Sequence, residues 1–124
     1  MKVVALEGSL SEGEFVEIIN VDFDGERLAV TVLIDGDKLD ITFDAPAGFR
    51  VLDEGDLLEY WPDCSTTNGW LYEIAGQGWL DQERQRGGFL SGHNPEIKEY
   101  FIAGVNYCIS VLAWEKPDVE ASTR

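Results

Sequence analysis

The chain has 124 residues, 44% hydrophobic and 11% aromatic, with 24 Asp and Glu against 9 Lys and Arg, a formal net charge of −15. That much apolar and aromatic material fills one core without disulfide or metal staples, which excludes a disordered acidic tail. The acidic field repels nucleic acid and anionic membranes and speeds encounter with cationic partners, so nucleic-acid and membrane partners are disfavoured.

The excess is uneven: residues 1–63 carry 16 acids and 4 bases, net −12, whereas residues 64–124 carry 8 acids and 5 bases, net −3. At the N-terminus, Val3-Val4-Ala5-Leu6 is too short for the apolar region of a signal peptide, and no run approaches the ~18 apolar residues of a membrane span. The expected location is therefore cytoplasmic. Strands are expected near residues 3–7, 14–23, 27–35, 38–44 and 48–52, as an antiparallel meander. Alternation is plainest in Lys38–Asp44, where Leu39, Ile41 and Phe43 face one way and Asp40, Thr42 and Asp44 the other. Leu28, Val30, Val32 and Ile34 repeat at the same spacing, while Phe15, Ile19, Val21 and Phe23 do so less regularly. Asp24-Gly25 and Asp35-Gly36-Asp37 stand between these runs, and Asp-Gly favours short hairpins because both residues tolerate positive φ.

The second half is more aromatic. Residues 53–62 read as strand or turn in preference to a short helix, 69–74 as a strand, and 78–86 as a helical turn broken by Gly87-Gly88. Residues 97–103 and 105–114 read as a closing hairpin, with Asn94-Pro95-Glu96 open to capping a short helix. From Lys116 on no pattern remains. The expectation is one β-rich domain over residues 1–115 and a flexible tail over 116–124. The fold class is mainly β or α+β, an antiparallel sandwich or curled meander with one or two short helices.

Chemistry-bearing patterns are few. Asp22-Phe23-Asp24-Gly25-Glu26 and Asp35-Gly36-Asp37 lack the full acid set of a calcium loop and read as hairpin turns. Gly88-Phe89-Leu90-Ser91-Gly92-His93 misses the glycine two residues before the serine that a nucleophile elbow requires. One histidine and two cysteines are too few for a zinc site. Cys108 lies in an apolar run and reads as a buried hydrophobe, whereas Cys64 follows a turn-like stretch and is a candidate for exposure; a disulfide between them is disfavoured in a cytoplasmic chain. No catalytic residue, cofactor site or metal site is assigned, and the chain is read as a non-enzyme.

What remains is the acids and the tryptophans. The net charge exceeds the magnitude of roughly 2–8 that solubility asks of a small domain. Asp35, Asp37, Asp40, Asp44, Asp53, Glu54, Asp56, Glu59 and Asp63 are therefore candidates for a surface that meets a basic protein. Trp61, Trp70 and Trp79 recur every nine residues, matching successive strands that fill one core, with Trp70 and Trp79 also candidates for a partner's or sugar's platform.

Leu57-Leu58-Glu59-Tyr60-Trp61, Gly69 to Ile74, Gly78-Trp79-Leu80 and Tyr107 to Leu112 give the chain a further likeness. Over roughly residues 50–115 it resembles the small acidic immunity proteins of bacterial polymorphic toxin and contact-dependent inhibition systems. That resemblance implies a cytoplasmic protein that binds and neutralises a cognate toxin domain, often a basic nuclease; it transfers no named binding residue. Three other readings stay open: a small-ligand or carbohydrate-binding β domain using Trp70 and Trp79, an enzyme of unrecognised type, and a subunit of a homodimer or larger homo-oligomer.

Overall fold

The computed structural model of the chain describes every residue except Ser9, Thr66 and Arg124. Its strands are β1 (Lys2–Glu7), β2 (Val16–Phe23), β3 (Arg27–Ile34), β4 (Asp37–Asp44), β5 (Gly48–Asp53), β6 (Leu71–Gly76), β7 (Lys98–Ile102), β8 (Tyr107–Ala113) and β9 (Asp118–Ala121). The α-helix α1 spans Trp79–Arg84, and 3-10 turns occupy Glu54–Asp56 and Leu90–His93. The fold is mainly β: two antiparallel sheets, ordered β2-β3-β4-β9 and β1-β6-β7-β8-β5, stacked as a sandwich.

Local chemistry explains the first sheet. Asp35 and Gly36 both adopt positive φ, 48° and 83°, and Ile34 pairs with Asp37 across this two-residue turn. Between β2 and β3, Asp24 Oδ1 accepts from the backbone N–H of Glu26 and Arg27, each at 2.8 Å. The expected meander holds for β2-β3-β4 and fails at both ends: β1 pairs with β6, and β5 pairs with β8. No Asp-Gly turn ties either to its neighbour in sequence. After β4, Ala45-Pro46-Ala47 carries the chain across the sandwich, and Ala47 N–H bonds the Leu112 carbonyl at 2.8 Å.

The expected flexible tail is also corrected. Residues 118–121 form β9 on the edge of β4, with Ile41 paired to Val119 and Leu39 to Ala121, and Ser122 N–H bonds the Lys38 carbonyl at 2.9 Å. Four residues are too few to show an alternation, but they satisfy the edge that β4 would otherwise leave open. Arg124, the end of that expected tail, lies outside the described residues.

Between the sheets, Leu28, Val30, Val32, Ile41 and Phe43 pack against Leu71, Tyr100, Ile102, Ile109 and Val111, with Trp70 beside them. The five-stranded sheet is buried on its other face too. There Leu57, Tyr60 and Cys64 cover Tyr72, Ile74, Phe101 and Cys108, and Leu80 covers Ile97 and Leu112. This second burial is why β8 reads as a continuous apolar run. No helix among the described residues is long and apolar enough to cross a membrane.

Replacing Val119 with Asp places a charge against the β4 side of the core. It should lower stability by about 2 kcal/mol in urea unfolding, an effect that a frayed tail would not show.

Candidate binding groove

The nine acids singled out by the sequence do not form one surface. Asp40 and Asp44 lie on the solvent face of β4. Thr31 Oγ1 donates to Asp40 Oδ1 at 2.6 Å, and Arg27 Nε stands 3.8 Å from Asp44 Oδ1, so bases are interleaved on that face. Asp35 and Asp37 are exposed on the β3–β4 turn. Asp53 ends β5, and Glu54, Asp56, Glu59 and Asp63 belong to the segment that follows it and covers the five-stranded sheet. There Asp53 Oδ1 caps the 3-10 turn through Gly55 N–H at 2.7 Å, and Asp63 faces the N-terminal ammonium at 3.6 Å.

Part of this acid set converges at one end of the sandwich, around the starts of β2 and β8. A groove of about 480 Å³ is lined by Phe15, Val16, Trp61, Glu54 and Gly104. A neighbouring one of about 590 Å³ is lined by Glu17, Ile18, Ile19, Asp53, Val105, Asn106 and Tyr107. A third, by Glu14, Phe15, Glu17 and Asp35, adjoins them. Phe15 is 57% exposed and Tyr107 55% exposed, two aromatic rings in water beside five acids. Among the described residues no Lys, Arg or His lines any of the three.

The sequence reading missed Glu14, Glu17, Phe15 and Tyr107. The signal was present in the irregular alternation of β2: its register with β3 shifts between Ile18 and Asn20, and this bulge turns Ile19 out to solvent. Of the expected acids, Asp53, Glu54 and Asp35 reach the grooves, whereas Asp37, Asp40, Asp44, Asp56, Glu59 and Asp63 do not line them.

For the tryptophans, the core reading holds at Trp70 and its alternative as a platform does not. Trp70 is 4% exposed and packs in the inter-sheet core, so it has no face to offer a sugar or partner. Trp79 is half-buried, with the Arg50 guanidinium 4.8 Å from its ring centroid and its Nε1 donating to Glu83 Oε1 at 3.2 Å. Trp61 is half-buried against Phe101 and donates its indole N–H to the Glu54 carbonyl at 2.9 Å. Cys64 is buried, against the expectation of exposure, and shares a cluster with Cys108; both are free. Burial pushes the two thiols up to about 12 and about 11, so both stay protonated and inert at neutral pH.

A buried polar knot fastens the cover to the sheet beneath it. Glu99 on β7 is fully buried: Oε2 accepts from Tyr60 Oη–H at 2.7 Å and Oε1 from Leu80 N–H at 2.8 Å. The Tyr60 oxygen in turn accepts from Arg50 and from Trp79 N–H, each at 3.2 Å. Gly78 is required here because a Cβ would stand 2.6 Å from Glu99 Oε1 and 2.7 Å from Ile74 Cγ2. This carboxylate faces no open cleft; the adjoining void is about 20 Å³, room for one water. It is a structural group.

Chemically the grooves offer apolar anchors and acceptor oxygens. Among the described residues no three His, Cys, Asp or Glu stand together as metal ligands. Ser91 and His93 sit on the turn against α1, outside the grooves, where Arg84 Nε donates to the Gly92 carbonyl. No protein-family model matches this chain, and no curated protein or solved structure does.

Burial outweighs the hydrogen bonds at Glu99 and raises its pKa above the ordinary 4.5. The folded state therefore holds this proton at a pH where the unfolded chain has released it. Stability conferred by the knot is fullest below 4.5 and falls as pH rises through the elevated value. Glu99→Gln should cost most near that lower limit and progressively less at higher pH, read from urea midpoints of both proteins across the range; parallel curves would refute the assignment.

Proposed function

We propose that this chain is a non-enzymatic binding protein whose end groove takes a basic protein, most simply as an immunity protein that neutralises a cognate toxin domain. The observation that carries this reading is the lining of the groove: exposed Phe15 and Tyr107 with Glu14, Glu17, Asp35, Asp53 and Glu54 and, among the described residues, no base. Interfaces concentrate binding energy in a few aromatic anchors surrounded by polar groups, and charge complementarity sets the rate and the choice of partner. Monomers that need only solubility intersperse both signs, as the solvent face of β4 does with Arg27 and Lys38. At the groove one sign stands alone beside uncovered rings. The likeness of residues 50–115 to acidic immunity proteins points to the same class of partner.

Affinity capture from the native host, eluted in salt steps, tests this directly. One basic protein should be retained at low salt and released at moderate salt. Reversing charge at the groove with Glu17→Lys and Asp53→Lys should slow its association about ten-fold or more at low ionic strength. Asp40→Lys with Asp44→Lys, on the other face, should change the rate far less. If the captured protein is a toxin, co-expression of the wild-type chain rescues growth and the groove variant fails to. Equal behaviour of the two double variants would refute the groove as the contact surface.

A further inference from the structure

Resting on the groove as the contact surface, we infer that the partner enters it as an extended segment that adds a strand to the free edge of β2, with basic and apolar side chains alternating. β2 and β5 each end their sheet, and both lie on the same flank, where Phe23 and Phe49 meet edge to face at 5.5 Å. Glu17, Ile18, Asn20 and Val21 pair with β3 on one side, Ile19 being the bulged residue, and among the described residues no strand pairs with β2 on the other; the β7–β8 loop reaches the start of this edge, through Val105 N–H to the Val16 carbonyl at 2.8 Å. An uncapped edge of this kind is a row of backbone donors and acceptors awaiting a strand.

Of the four end strands β1, β2, β5 and β9, β2 is the longest. β9 has four residues, β1 and β5 have six each, and β1 shifts register twice against β6. β2 runs for eight residues, five of them apolar, and leaves Ile19 and Phe23 40% and 45% exposed. Across the flank, Val51 on β5, itself an end strand, is 41% exposed. An added strand would close this mouth. Its alternate side chains, roughly 6.8 Å apart on one face, would cover Val51 and Phe23. Charge chooses the rest of the occupant: the groove beside this edge holds Glu17 and Asp53 and no base, so Lys or Arg is the residue that satisfies it. A neutral or acidic strand would leave those carboxylates facing an apolar or like-charged neighbour.

The test uses a blocked octapeptide of alternating Lys and Val, its N-methylated form with alternate amides blocked, and a scrambled peptide of the same composition. Binding is followed by calorimetry and by amide hydrogen exchange in the protein. The alternating peptide should slow exchange within residues 17–23, and N-methylation should weaken binding at least ten-fold by removing strand hydrogen bonds. The scrambled peptide should also bind more weakly. Equal binding of the N-methylated peptide with unchanged exchange would overturn strand addition while leaving the acidic groove standing. Binding undiminished in the Glu17→Lys, Asp53→Lys variant would overturn the groove itself as the site. Absence of any binding by the alternating peptide would overturn the strand mode, and partner capture would still judge the acidic reading separately.

Discussion

The five-stranded sheet must be buried on both faces, and much of the architecture follows from that constraint. One face rests on β2, β3 and β4, as in any sandwich. The other has no second sheet, so the chain spends its irregular segments, 54–64 and 79–93, as a lid over it. Loops make poor lids because their backbone polar groups need partners. Glu99 answers this by reaching up from β7 to take the Leu80 N–H at the start of α1 and the Tyr60 hydroxyl from the covering segment. One carboxylate thus fixes both parts of the lid, and Tyr60 stacks on Phe101 at 4.5 Å while it does so. A buried acid costs desolvation free energy, and its gain is positional: it sets where the lid sits.

The position of the lid in turn shapes the groove. Glu54 and Trp61 belong to the covering segment, whereas Phe15, Glu17 and Ile19 come from β2 and the residue before it, and Val105 to Tyr107 from the β7–β8 loop. Three separately anchored pieces meet at one end of the sandwich. The close approach at Gly104 is part of this, since a Cβ there would stand on the Tyr107 carbonyl and touch Ile18. An anionic, partly aromatic concavity held by a packed sheet and a fastened lid is preorganised, and a partner bound there would meet little ordering cost on this side.

Legibility in the sequence followed how local each determinant was. The hairpins β2-β3 and β3-β4 were readable because Asp24-Gly25 and Asp35-Gly36 encode their own turns, and β7-β8 because its strands are long and apolar. The partners of β1, β5 and β9 were not, since each pairs with a strand distant in sequence and the preference lies in the edge that strand leaves open. The acids were legible as a surplus but not as a place. Alternation assigns Asp40 and Asp44 to a solvent face, yet only the fold reveals that Arg27 and Lys38 share it, and that Asp53 and Glu54 come to lie beside Glu17. Trp70 and Trp79 show the same limit: their spacing fits strands, yet Trp70 packs between the sheets while Trp79 opens α1 under the Arg50 guanidinium.

The bulge in β2 is where the two levels part most clearly. Had Phe15, Ile19, Val21 and Phe23 kept a strict period of two, all would face one way and the edge would be an ordinary flank of the core. The extra residue near Ile19 breaks that order, so apolar side chains that a regular strand would bury stand partly in water. Such exposure lowers the stability gained per apolar residue and invites edge-to-edge aggregation. The net charge of −15 counters the second hazard by keeping copies of the chain apart, and it does so without placing a base where the groove would be neutralised. Self-repulsion thus shields an open apolar edge from its own kind while leaving it accessible to a cationic chain, a combination that solubility alone does not require.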